Sequence, residues 1–249
     1  MGLAYLPTAR RLIVTDSEVD ETSLWARTNV WFTTLKGRPT RAFSTARYTK
    51  EPTDVAVGKG GRILYFSDDD LHRIFIVRRG PDHRWGTRDD PVSSFSTLPF
   101  SSHDPEGLAF GAGSLFVTDG KATHLVFRLS PGPDGRFDGA PPEGDDVVTQ
   151  FDTGPFGLSV PEDVMFDHAS HHLYITGRGS RVILITTLDG ALLGSVAIAF
   201  SGIAGPAGIA LAPASDGTAS THVYVSARGV DNTVDPNEND GRMFEFALS

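Results

Sequence analysis

An all-β fold, a five-bladed β-propeller, is what this 249-residue sequence predicts, and three observations carry that reading. A short phrase recurs five times, each recurrence leads into short runs of strand-forming residues, and no window holds a helical period long enough to compete. The phrase is clearest in Glu51-Pro52-Thr53-Asp54-Val55-Ala56-Val57, Asp104-Pro105-Glu106-Gly107-Leu108-Ala109-Phe110, Val160-Pro161-Glu162-Asp163-Val164-Met165-Phe166 and Gly205-Pro206-Ala207-Gly208-Ile209-Ala210-Leu211. Gly2-Leu3-Ala4-Tyr5-Leu6 is the same phrase without its proline. Its Gly/Asp position therefore falls at 2, 54, 107, 163 and 208, spaced by 52, 53, 56 and 45 residues, which is blade length.

Each phrase reads as an innermost strand. A second apolar run follows at 11–16, 63–68, 115–119, 173–177 and 223–227, ending in a small or acidic residue. Third runs lie at 29–35, 73–77, 124–129, 181–187 and 242–247, and the first four repeats add a fourth at 39–45, 92–97, 147–153 and 192–199. The runs are rich in Val, Ile, Phe and Tyr and are punctuated by Gly, Pro and Asp, as strands and tight turns require. One domain over 1–249 is expected, with blades at about 2–45, 51–97, 104–153, 160–199 and 205–249. Two stacked β-sandwiches would accommodate the strands but not five similar starts. Neither terminus supplies a partner strand of the kind with which many propellers close their ring. A three-stranded last blade or a segment of a longer chain accounts for this, and the bare Met1-Gly2 start favours the segment.

Composition narrows the function classes. With 31 Asp+Glu against 22 Lys+Arg the net charge is −9, which argues against a nucleic-acid backbone as partner and suits bound cations. There is no cysteine, hence no disulfide, thiolate nucleophile or zinc–sulfur site. No apolar run approaches a membrane span, and MGLAYLPTARR carries no signal-peptide pattern.

Propeller geometry gathers the acids. The turn leading into each inner strand and the turn joining the second and third strands lie on one face of the disc. The first set holds Asp54, Asp104, Glu106, Glu162 and Asp163; the second holds Asp16, Glu18, Asp68, Asp69, Asp70, Asp119, Asp231, Asp235, Glu238 and Asp240. Crowded carboxylates repel one another unless cations or protons sit among them. Oxygen donors without sulfur suit Ca²⁺. The segment 231–241 is the most specific feature, with Asp231, Asp235, Asn237, Asn239 and Asp240 as candidate ligands in a loop that approximates an EF-hand spacing without matching it. A solvated turn with Asx caps is the bland alternative. Glu106 and Glu162 are further candidate ligands, while Asp16, Glu18, Asp68, Asp69, Asp119 and Asp163 are expected to line an acidic mouth.

Two loops, 80–90 and 132–146, share a Gly-Pro-Asp start, an aromatic and a late Asp-Asp pair on the opposite face. A small calcium-binding or water-filled loop is one reading; a long hairpin pinned by the aromatic is favoured over it, because nothing in the spacing draws their acids to one point. His72 and His124 occupy equivalent positions before a third strand, and His103 precedes Asp104. All three are candidates for general-base chemistry beside a metal, against the ordinary alternative of hydrogen-bonding residues on strand edges. His168, His171 and His172 read as a polar hairpin turn. No nucleophile elbow, Walker loop or dinucleotide fingerprint is present.

The phrases at 104–110 and 132–137, together with the stretch 228–241, resemble repeats of bacterial extracellular propellers of the NHL-type, gluconolactonase/paraoxonase-like and phytase-esterase-like group. The resemblance covers almost the whole chain and implies an extracellular or cell-surface setting. Enzymes of that group hold a catalytic calcium in the central channel with carboxylate and Asn ligands from several blades. Glu106 and Glu162 match those positions; Thr53, Ala207 and Met1 do not, and those enzymes usually have six blades.

Two functions follow as expectations. One is a calcium-binding propeller module that takes a small molecule, glycan or protein at its acidic mouth. The other is a calcium-dependent hydrolase of esters, lactones or phosphoesters, with His124, His72 or His103 handling a proton. A metal-free structural propeller is the third option.

Overall fold

The computed structural model describes residues 1–23, 25–120, 123–199, 202–229 and 241–248. Its strands form five antiparallel sheets arranged as a five-bladed β-propeller. Blade one holds β1 (Leu3–Leu6), β2 (Arg11–Thr15), β3 (Val30–Thr33) and β4 (Pro39–Phe43). Blade two holds β5 (Val55–Val57), β6 (Ile63–Asp68), β7 (Arg73–Arg78) and β8 (Val92–Ser96). Blade three holds β9 (Pro105–Gly111), β10 (Ser114–Asp119), β11 (Leu125–Ser130) and β12 (Val147–Asp152). Blade four holds β13 (Pro161–Asp167), β14 (His172–Gly177), β15 (Val182–Thr186) and β16 (Leu192–Ala197). Blade five holds β17 (Pro206–Pro213), β18 (Thr221–Ala227) and β19 (Arg242–Ala247), three strands among the described residues.

Side-chain alternation turns these sheets into a ring. Successive residues of a strand face opposite sides, so each blade offers one apolar face to the blade before it and one to the blade after. In β6, Leu64 and Phe66 pack toward blade one, with Ile13, Phe32 and Phe43, while Tyr65 packs toward blade three, with Leu108 and Phe127. The same pattern repeats between blades three and four, and between four and five. A fifth cluster joins Leu3 and Leu12 of blade one to Ala210, Ala212 and Tyr224 of blade five. Packing of blade five on blade one therefore closes the ring, and among the described residues no sheet combines strands from both ends of the sequence.

A belt of hydroxyls stitches the inner strands together. Thr15, Ser67, Thr118 and Ser226 each stand opposite the Gly/Asp position of their own blade. Each accepts its backbone N–H, from Gly2, Asp54, Gly107 and Gly208 respectively. Each then donates to a carbonyl of the next blade, at Thr53, Glu106, Glu162 and Met1. A hydroxyl has one proton to give and lone pairs to receive with, so one side chain serves both neighbours. Thr176 occupies this position in blade four and makes neither bond. There Asp163 spans the gap, accepting the Ile209 N–H of blade five at 2.6 Å.

The axis itself admits only two side chains. At the five equivalent positions stand Gly2, Asp54, Gly107, Asp163 and Gly208. A Cβ on Gly2 would lie 2.1 Å from Asp54 Oδ1, and one on Gly107 would lie 2.3 Å from the Asp163 Cα, so neither site tolerates a side chain. The two carboxyls fill the vacated space. Asp54 accepts the N–H groups of Leu3 (2.9 Å) and Leu108 (2.6 Å), and also that of Val55. Asp163 accepts those of Val164 and Ile209, each at 2.6 Å. One amide from every blade is thus satisfied by this pair. The two side chains also hydrogen-bond to each other, which requires a proton between them. Burial raises both above the usual carboxylate range, and the charge of Asp54 raises Asp163 further.

Above about pH 4 the unfolded chain releases a proton that the folded pair keeps. That contribution to stability is present at acid pH and is lost as pH rises through the folded value, about 6 for Asp54. Asp163→Asn, which keeps the shape without the charge, is expected to gain on the wild type in denaturant-unfolding stability between pH 5 and pH 8. A difference that does not change with pH would contradict the shared proton. Asp54→Ala or Asp163→Ala strands several buried amides and is expected to cost about 2–5 kcal/mol.

Candidate functional site

The expected acidic mouth exists, but its acids divide into three kinds. Asp68, Asp119 and Asp163 are buried and serve the backbone, which corrects their expected place on the mouth's lining. Asp68 accepts the Thr49 hydroxyl and the Leu71 N–H, Asp119 accepts the His103 N–H, and Asp163 lies in the axial pair below the mouth. Short turn-capping geometry explains Asp68, whose carboxylate at the end of a second strand meets an amide of the turn that follows, whereas Asp119 reaches back to the segment that enters β9. Asp16 and Glu18 sit at the rim, Asp16 half-buried with its Oδ1 on the Glu18 N–H and Glu18 exposed.

The second kind is neutralised by arginine. Glu162 is 3% exposed, and its two oxygens meet Arg228 at 3.0 Å and Arg178 at 2.9 Å. Arg228 also stands 3.6 Å from Glu106. Blade five, where the sequence puts alanine at the glutamate position, contributes this guanidinium instead, so a fixed cation joins blades three, four and five. Sequence reasoning missed these arginines, although both stand at the same repeat position, just past the second strand after Gly177 and Ala227 and before a glycine, and a search of those turns for basic residues would have found them.

The third kind converges. Asp69, Asp104 and Glu106 each place one carboxylate oxygen within 4.8 Å of the other two. Asp69 comes from the turn after β6 and is oriented by the Thr53 hydroxyl at 2.6 Å; Asp104 directly precedes β9, and Glu106 is its second residue. Burial, followed by the charge of Glu162, pushes Glu106 up to about 8, and Arg228 opposes this only in part. Oxygens held about 2.4 Å from a common ion can lie nearly 5 Å apart, so the set fits a hard divalent cation.

The histidines separate. His72 and His103 have ring centroids 6.2 Å apart on this rim, and the His72 Nδ1 is buried without a partner. His124 is not with them; its ring is 3.9 Å from Asp152 at the outer edge of blade three. The equivalence of His72 and His124 has a backbone cause. Both adopt left-handed φ, 51° and 57°, and both carbonyls accept a threonine N–H, from Thr97 and Thr153. His168 and His171 pack on Phe166, consistent with a structural hairpin. The candidate ligands Asp231, Asp235, Asn237, Asn239 and Asp240 lie outside the described residues.

On the opposite face the channel opens into a cavity of about 640 Å³ with a mainly apolar lining. Ala4, Ala56, Ala109, Met165 and Ala210, two residues past the Gly/Asp position of each blade, help to form it. That recurrence of alanine was legible in the repeat.

No protein-family model matches the chain, and no curated protein matches it in sequence. Solved structures do, and they are β-propellers. The luciferin-regenerating enzyme is 14% identical with a TM-score of 0.56, over 99% of this chain and 76% of its own. A chain of the nidogen/laminin complex is 17% identical with a TM-score of 0.54, over 91% and 71%. Streptogramin B lyase is 14% identical with a TM-score of 0.52, over 99% and 68%. At these identities the likeness is one of fold. Among the described residues no helix is long and apolar enough to cross a membrane.

Arg228→Met is expected to leave Glu162 with one partner and to cost about 1–3 kcal/mol at pH 8, read by chemical unfolding. Low pH should restore part of the loss, since a proton can then replace the guanidinium. Unchanged stability at pH 8 would mean that Arg228 is not the charge holding the mouth together.

Proposed function

We propose that this propeller binds a divalent cation, Ca²⁺, at Asp69, Asp104 and Glu106 and uses the acidic mouth around it to take an oxygen-rich small molecule or glycan. The convergence of three carboxylates from two blades carries the reading. Arg178 and Arg228 flank Glu162 at 2.9 and 3.0 Å, and Arg228 stands farther, at 3.6 Å, from Glu106. When bound, Ca²⁺ supplies charge compensation and a Lewis acid toward a ligand oxygen. The chain's own groups do the rest: Thr53 orients Asp69, Arg228 bridges Glu106 and Glu162, and Asp16 and Glu18 form an outer rim. An extracellular or cell-surface setting suits such a site, because sites of weak affinity fill where Ca²⁺ is abundant.

Hydrolysis is the second reading, and the His72–His103 pair favours it. Either imidazole could accept a proton from water at the rim of the same carboxylate group. Enzymes occur among the similar folds, which lends the reading no residue-level support.

Calorimetric titration of chelator-treated protein with Ca²⁺ tests the proposal. Glu106→Gln and Asp104→Asn are each expected to weaken binding at this site by tenfold or more, and to remove the corresponding rise in melting temperature. Equal Ca²⁺ affinity in both variants would refute the mouth site. Turnover of ester, lactone or phosphoester substrates that disappears in His72→Ala and His103→Ala with folding intact would favour the hydrolase.

A further inference from the structure

We propose a second divalent-cation site, independent of the mouth, in the long hairpin between β11 and β12 of blade three, where Asp134, Asp138 and Asp145 would hold Ca²⁺ on the opposite face of the disc. The sequence suggested that nothing draws these acids together, and the structure corrects that expectation. One oxygen from each lies within 4.8 Å of the other two. Phe137 packs against Tyr65 and Phe110 with centroids 5.8 and 6.3 Å away, so the aromatic anchors the hairpin as expected, and the chain folds back over the anchor.

The independent observation is a pair of orphaned oxygens. Asp146 is 2% exposed, and its Oδ1 meets no hydrogen-bond donor; the Oδ1 of Asp145 is likewise shut off from solvent without a donor. The other oxygen of Asp146 is held by the Asp138 and Gly139 amides at 3.2 and 2.9 Å, which fixes that carboxyl against the Asp138 side of the group. The charged groups around it are Asp138 and Asp145, both acids. A buried carboxylate oxygen with neither donor nor cation is costly, and like charges beside it add to the cost. Arg136 lies 4.0 Å from Asp134 but is 77% exposed and is a weak counter-ion there. Two glycines make the room: a Cβ on Gly132 would come within 2.1 Å of Asp145 Oδ1, and one on Gly144 within 1.9 Å of Asp138 Oδ1.

Blade two supplies an internal control. Its hairpin carries Asp82, Asp89 and Asp90 in the same convergence. There the loop's own donors meet the oxygens. Asp90 takes the Gly80, Gly86 and Thr87 amides, and Asp89 takes the Asp82 amide and the Thr87 hydroxyl. The blade-three hairpin is longer and lacks a hydroxyl at the place of Thr87, so its Asp-Asp pair is left short of donors. In blade three Asp134 and Asp138 each accept one loop amide, from Arg136 at 2.7 Å and Asp145 at 3.1 Å, and what the loop leaves without donors is one oxygen each of Asp145 and Asp146.

The test is calorimetric titration of the full chain with CaCl₂ after chelator treatment. The variants are Asp138→Asn/Asp145→Asn, Asp82→Asn/Asp89→Asn and Glu106→Gln. One equivalent of Ca²⁺ is expected to disappear, or to weaken at least tenfold, in the first variant and to persist in the other two. Asp145→Asn alone is expected to melt at or above the wild type in chelator, because like charge is removed, and below it in millimolar Ca²⁺. That crossing separates a lost ion from a damaged fold. Wild-type protein that takes up no Ca²⁺ at millimolar concentration, or an unchanged stoichiometry and affinity in the blade-three variant, would overturn the site. So would a melting loss that is the same with and without Ca²⁺. Because Glu106→Gln reports on the mouth and the Asp138/Asp145 variant on the hairpin, failure of either site is read separately.

Discussion

Five strands converging on one axis leave almost no room there, and the rest of the molecule is arranged around that shortage. Three of the five axial positions are glycine because a Cβ would strike the neighbouring blade, and the two that carry side chains are Asp54 and Asp163. Between them they accept one amide from each blade. A neutral pair of side chains would not offer that many acceptor sites, and two full charges so close would repel; two carboxyls sharing a proton meet both demands. The hydroxyl belt outside this pair repeats the logic, with one oxygen serving two blades, and at the break in the belt Asp163 reaches the fifth blade itself.

Charge on the mouth follows from the same geometry. The residue before each axial position points its side chain at the rim, so glutamates at 106 and 162 are brought close by blade packing alone. Arg228 relieves Glu162 more fully than Glu106, since its guanidinium is nearer the former. What remains around Glu106 is a group of acids from adjacent blades with the donor chemistry of a cation site. The opposite end of the channel is apolar, so the two faces of the disc present different chemistry to any partner.

The hairpins of blades two and three illustrate how the same sequence motif can carry different chemistry. Both start with Gly-Pro-Asp, both end with Asp-Asp, and both bury an aromatic in an interblade cluster. The difference lies in donor supply: Thr87 and the tight amides of the shorter loop satisfy one set of oxygens, and the longer loop leaves two oxygens without any. Burial of polar atoms, more than the number of acids, distinguishes a closed turn from an open coordination site.

The sequence by itself determined the blade count, the strand order within each blade and the face on which the acids gather. These depend on short-range patterns: alternation sets which face is buried, Gly and Pro set the turns, and a recurring phrase sets the period. For the fifth blade the sequence left three strands and a segment of a longer chain both open, and the described residues of that blade form three strands. Tertiary structure alone decided which acids remain available. Asp68, Asp119 and Asp163 look like Asp69 and Asp104 in the sequence, yet Asp119 and Asp163 meet backbone donors 16 and 46 residues away, and Asp68 meets the Thr49 hydroxyl 19 residues away as well as the Leu71 amide of its own turn. Arg228 meets Glu162 across 66 residues, and Asp54 meets the Leu108 amide across 54. A periodic pattern specifies where a strand turns its side chains, but a carboxylate's partner is set by the distance between blades, which exists only once the ring has closed.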